Sequence, residues 1–240
     1  SGSSSQPAVP PQTVPSKYTT IAEFSEVWNG LYNKNEAAIN RYEGMPIMGL
    51  VMPQLSFAMS VQYDGLNLEH KDGRFEGKLI LAGHPGFVEQ TGDRITFGFE
   101  TTREKDGFGP SAKAGDKLSH QGFLDLKAGY YHAEEATERG GKKISRNVTE
   151  FKILEDGSMI CIDSRGNTFD ARGEEAVKDQ VIFLHNGPGR YDFVIGNGKN
   201  GPEFSPITFA DKGNLTKEEA IELFKAAGYT LDKVGGIRDG

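Results

Sequence analysis

The residues of this chain best equipped for chemistry are five histidines, one cysteine, one acidic run and a cluster of methionines. Histidine is the side chain that exchanges a proton near neutral pH and the commonest metal ligand. His70, His84, His120, His132 and His185 are dispersed, and no two have the close spacing of a local metal motif. Each is expected as an exposed residue, with His84 and His185 beside turns and His70 just before one. A haem or metal site drawn from distant strands is the alternative. The run Glu134-Glu135-Ala136-Thr137-Glu138 offers adjacent carboxylates, but such charge is expected on a solvated edge or loop face. Cys161, the only cysteine, lies in the apolar run Met159 to Ile162 and reads as a small buried hydrophobe.

Other motifs fall short of a mechanism. Residues 196–201 are glycine-rich but lack the strand-to-helix spacing of a phosphate loop. Asp211 to Asn214 lacks the ligand spacing and closing glutamate of a calcium loop. No Gly-x-Ser-x-Gly elbow occurs. A hydrolase site around Asp163 and His185 is the one catalytic reading left. No catalytic residue, metal or cofactor is assigned, and a non-enzymatic protein is expected. Four of the five methionines, Met45, Met48, Met52 and Met59, fall within residues 44–59. Methionine suits adaptable apolar surfaces. With Trp28 and Phe57 these four are expected to line an apolar ligand pocket.

The elements that would position these residues are read from periodicity. Thr20 and Glu23 have capping-box spacing, and Ile21, Phe24, Val27, Trp28 and Leu31 then share one helical face. A helical segment is expected over residues 17–43. Thr216 and Glu219 open a second helix, with an apolar face from Ala220 to Ala227 and Gly228 as its stop. That helix is expected over residues 216–228.

Between them the period becomes two. Leu55, Phe57, Met59, Val61 and Tyr63 alternate with smaller or polar residues and predict a strand. Turns at Asp72-Gly73, Gly83 to Gly86, Thr91 to Asp93, Gly140-Gly141, Asp156-Gly157 and Asn186 to Gly189 divide the rest. Strand patterning is expected to run unbroken from Gly122 through Tyr131, after a polar loop from Arg103 to Lys117. The fold expected is mainly β, an antiparallel meander over residues 50–210 of about eight to ten strands. A barrel, a partly open barrel and a sandwich all satisfy it.

Composition limits location and partners. The net charge of −7 and pI near 5.3 disfavour nucleic acid. No apolar run approaches the roughly 20 residues of a membrane helix. Residues 1–16, SGSSSQPAVPPQTVPS, hold too little apolar surface to fold and read as a tether. This segment resembles the stretch that follows the lipidated cysteine in mature bacterial lipoproteins. The resemblance is compositional and covers those residues alone. It implies an extracytoplasmic protein, in the bacterial periplasm or at the outer-membrane surface, meeting the membrane only through a lipid anchor. Residues 17–240 are expected as one β-rich domain. The function expected is a lipoprotein-like binding protein with a pocket for an apolar small molecule or lipid, by analogy with lipocalin-like architectures. The alternative is an accessory subunit of an envelope assembly, using its tail and sheet edges as contacts.

Overall fold

The computed structural model describes residues 18, 20–34, 36, 48–66, 68, 73–109, 112–167, 176–184, 186, 190–196, 207–208, 219 and 222. Helix α1 spans Ile21–Lys34. Its start is capped by Thr20, whose Oγ1 accepts from the Glu23 N–H at 3.1 Å. Ile21, Phe24, Trp28 and Leu31 are its buried stripe, as the spacing predicts. Helix α2 spans Met48–Phe57 and runs on through a π-helical stretch, Ala58–Gln62, into a last turn at Tyr63–Gly65.

The strand predicted over Gln54 to Tyr63 is therefore a helix. Phe57 and Val61 are fully buried, with Ser56, Ser60 and Asp64 beside them, whereas Leu55 and Tyr63 are exposed. That is a helical stripe at spacings of three and four, not two alternating faces. Partners across the sheet for Ser56, Ser60 and Asp64 decide the conformation, and tertiary context outweighs the alternation. Of the Asp72-Gly73 turn only Gly73 lies among the described residues, and its carbonyl accepts the Gln90 N–H. The helix closes with Leu68 N–H donating to the Gly65 carbonyl, and the first strand pairs forward.

The sheet accordingly begins at Arg74, not near residue 50. Its ten strands are β1 (Arg74–Lys78), β2 (Pro85–Thr91), β3 (Arg94–Thr102), β4 (Lys117–Asp125), β5 (Tyr130–Arg139), β6 (Lys142–Ile153), β7 (Met159–Asn167), β8 (Ala176–Leu184), β9 (Arg190–Gly196) and β10 (Ile207–Thr208). Each pairs antiparallel with the next, in the order of the chain. Among the described residues β1 and β10 have one neighbour each, so the meander is open. The run Gly122 to Tyr131 is two strands: the chain turns at residues 126–129, with Gly129 in the left-handed region at φ 62°. Glu134, Glu135 and Glu138 then lie on β5, in the interior of the sheet and not at an edge or loop.

One face of the sheet packs on α1 and α2. Phe57 of α2 meets Phe24 at 5.7 Å, Trp28 at 6.4 Å, Tyr131 at 5.6 Å and Phe151 at 5.4 Å between ring centroids. Val88, Ile95, Phe97, Leu124, Ile153, Cys161 and Ile182 complete that core. The polar loop between β3 and β4 is tied down. Buried Asp116 accepts from the Arg139 guanidinium at 2.7 Å and from the Lys113 N–H at 2.8 Å. No helix of the described residues is long and apolar enough to cross a membrane. The tail, residues 1–16, lies outside the described residues. So does the predicted 216–228 helix, apart from Glu219 and Glu222, which are helical.

Two outcomes follow from this packing. Phe57→Ala removes the ring shared by both helices and the sheet, and a cost of about 3–5 kcal/mol is expected in chemical denaturation. A cost below about 1 kcal/mol contradicts the shared core. Arg139, then the Lys113 N–H, hold the Asp116 carboxyl down at about 2. Its contribution is complete above the ordinary aspartate value near 4 and is lost as pH falls towards 2. The melting temperatures of wild type and Asp116→Asn should therefore converge over that window, and a constant gap refutes the pairing.

Candidate functional site

The register of the sheet sets two histidine clusters on opposite faces. On the core face, cross-strand neighbours run Gly86, Phe99, His120 and Glu135 along β2 to β5. The His120 ring stacks on Phe99 at 5.2 Å and 9° and lies 6.0 Å from Phe97. From α2, Ser60 Oγ comes within 2.6 Å of His120 Nε2, and Ser56 Oγ lies 2.6 Å from the Tyr131 hydroxyl. Glu135 Oε2 is 3.5 Å from His120 Nδ1. A hydroxyl, an imidazole and a carboxylate in line have the order of a hydrolytic triad. Here, however, Ser60 is fully buried and His120 is 3% exposed, under stacked rings. Burial pushes the Tyr131 phenol well above its ordinary range. The cluster holds α2 to the sheet through polar contacts inside an apolar core.

On the opposite face the neighbours run Thr96, Phe123, His132 and Glu150 along β3 to β6. Glu150 is 2% exposed and His132 24%. Glu150 Oε1 lies 3.2 Å from His132 Nδ1, and Tyr130 OH donates to Glu150 Oε2 at 2.7 Å. The Glu150–His132 contact is an ion-pair distance and not a hydrogen bond: among the described residues Glu150 Oε1 has no hydrogen-bond partner. The Phe123 ring stacks on His132 at 5.7 Å, and the Arg94 guanidinium covers it at 3.8 Å.

This face carries an open groove over β1 to β5. One part, of about 630 Å³, is lined by Glu76, Pro85, Phe87, Glu100, Ser119 and Gln121. A second, of about 340 Å³, is lined by Thr96, Phe123, His132 and Glu134 and shares Phe87 and Gln121 with the first. Gly98 lies on the floor of the first. A Cβ there would come within 3.1 Å of the Phe87 ring, which rests over the missing side chain. The groove exists because Gly98 adds no bulk in the middle of this face.

Five of the six expected pocket residues lie among the described residues. Trp28 and Phe57 are fully buried and in contact with each other. Met59 is half-buried on the π-helical stretch, Met48 and Met52 lie on α2, and Met45 is outside the described residues. His84 is half-buried against Phe99. The expectation of five exposed histidines is corrected for His120 and His132, which sit mid-strand, where pairing and packing enclose them. His70 and His185 lie outside the described residues, and with His185 the hydrolase reading through Asp163. Cys161 is buried. Among the described residues no group of three or more histidine, cysteine, aspartate or glutamate side chains is placed to hold a metal. Sequence reading missed the groove and the Glu150–His132 pair, because both depend on register. The signal present was the alternation Tyr130, His132, Glu134 on one strand face. Comparison with protein-family models, curated proteins and solved structures finds no match.

The polar pin on the core face is testable. Ser60→Ala strips His120 Nε2 of its close partner while leaving the ring buried, at an expected cost of about 1–3 kcal/mol in urea denaturation. A change within about 0.5 kcal/mol removes the pin from the account.

Proposed function

We propose that the protein is a non-enzymatic, extracytoplasmic binding protein whose binding surface is the groove over β1 to β5. In this reading the sheet is a partly open barrel wrapped on α2. The ligand sits outside it and not among Trp28, Met45, Met48, Met52, Phe57 and Met59. The observation that carries the reading is the pair of adjoining depressions that share Phe87 and Gln121, one over Gly98 and one lined by His132, with the buried Glu150 carboxylate beside that imidazole. Location rests on the composition of residues 1–16. A second reading, an accessory subunit of an envelope assembly, draws support from β1. That strand has five residues, and its outer edge has no partner among the described residues.

The test is a thermal-shift screen of the full chain against fatty acids, neutral oligosaccharides, polyamines, nucleotides and short peptides. Chromogenic esters, phosphoesters and glycosides are assayed alongside. Gly98→Leu fills the groove and has no left-handed backbone to strain. The expected result is a saturable shift in wild type that Gly98→Leu loses while keeping its circular dichroism, with no turnover. The reading is overturned by the absence of any Gly98-dependent shift, or by turnover that His132→Gln abolishes.

A further inference from the structure

We propose that the groove binds a neutral, extended, polyhydroxylated polymer, a glycan segment, through His132, Gln121 and the ion-paired carboxylates of its rim. This rests on the binding reading above and names the ligand class. Charge is the first argument. Each carboxylate lining the groove already holds a cation: Glu76 with Arg74 at 3.2 Å, Glu100 with Lys117 at 3.5 Å, Glu134 with Lys143 at 3.1 Å. An anionic ligand would meet these carboxylates, and a cationic one would have to displace their partners. A neutral ligand does neither. Fixed ion pairs still offer directional hydrogen bonds, which hydroxyl groups can use as both donors and acceptors.

The aromatic rings argue against a lipid. Phe87 lies between the Gly98 floor and the Arg74 guanidinium at 4.6 Å, and Phe123 lies between His132 and Arg94. Both rings are covered on their faces and offer edges, interrupted by Gln121, Thr96 and Ser119. An acyl chain would leave methylenes against polar groups. A peptide strand is also poorly served. The main chain of β2 to β5 under the groove is already paired on both sides, so strand addition finds a partner only at the outer edge of β1, at one end of the groove and not along it. What remains available is a mixed set of side-chain donors and acceptors around two apolar ring edges. The His132 imidazole, the Gln121 amide and the Ser119 and Thr96 hydroxyls each carry both a donor and an acceptor. The two depressions cross four strand spacings, roughly 19 Å. That span fits a linear oligomer better than a single small molecule.

The experiment is isothermal titration of the full chain with cellohexaose, maltohexaose and chitohexaose. Spermine, a heparin hexasaccharide and oleate are the comparison ligands. At least one neutral hexasaccharide is expected to bind. His132→Ala and Gln121→Ala should each weaken it about tenfold, the effect of one lost net hydrogen bond. Gly98→Leu should abolish it with the circular dichroism spectrum of the folded chain retained. Affinity should change less than about twofold between 50 and 500 mM salt, because no ionic contact is screened. The glycan assignment is overturned if none of the three hexasaccharides binds, or if binding survives Gly98→Leu. It is overturned equally if spermine, the heparin fragment or oleate is the ligand that needs Gly98. In that last case the groove remains the binding surface and only the ligand class falls.

Discussion

Phe57 joins the helices to the sheet, and its burial is the interaction on which the rest of the structure depends. Its ring has Phe24 and Trp28 of α1 around it and Phe151 and Tyr131 of the sheet against it. Tyr131 and Phe151 in turn stack at 4.6 Å across β5 and β6. An open antiparallel sheet with one apolar face has to cover that face. Here α2 and α1 supply the cover together, with Trp28 of α1 meeting Phe151 of the sheet at 4.9 Å. Helix α2 also places Ser56 and Ser60 over β4 and β5, where they supply the hydrogen-bond partners of the Tyr131 hydroxyl and of His120 Nε2. Asp64, at the far end, accepts the Ile80 N–H at 2.9 Å and fixes the turn between β1 and β2. One helical register therefore serves an apolar cluster, one nitrogen of a buried imidazole and a hairpin turn together.

The two faces of β4 and β5 show how little separates scaffold from binding surface. His120 and His132 stand on adjacent strands, with opposite orientation in the pleat. A residue on the core face meets the helix, and its polar atoms have to be satisfied inside the protein. A residue on the other face keeps one nitrogen towards solvent. Glu135 and Glu150 repeat the contrast with the sign reversed: the carboxylate beside buried His120 is partly exposed, and the one beside accessible His132 is buried. Lys152, two residues beyond Glu150 on the same face, is also buried, and its burial brings the amine down to about 8. This end of the face is enclosed, whereas β1 to β4 leave it open.

The hairpins were legible in the sequence because their signals are local. Gly92, Gly140, Gly141 and Gly157 stand at the tips of turns with positive φ, where glycine is the residue with least strain. The capped start of α1 was legible for the same reason. The identity of α2 was not, since Leu55 to Tyr63 satisfies a period of two in composition and a period near four in burial. Only the position of Ser60 over His120 separates these, and that is a relation across sixty positions of chain. The turn at 126–129 was hidden because Leu124 and Leu126 are both buried and continue the apolar pattern through it. The groove was illegible in a stronger sense. Gly98 in the sequence is a glycine inside a strand, which usually marks a weak point, a bulge or a close approach.

Register turns that glycine into a feature of the surface. Gly98 stands between Phe87 and Gln121 in one cross-strand row, flanked by Glu76 and Glu134. Any larger residue would push the Phe87 ring outward and divide the depression. A bare glycine lets Phe87 lie down, and Arg74 then covers the ring and stays near Glu76 and Glu89. The absence of one side chain thus organises a ring, a guanidinium and two carboxylates around it. These pairs are exposed and add little stability. What they add is shape and a rim on which each lining carboxylate has a cation beside it, and those properties, more than affinity from any single contact, decide what a shallow groove can select.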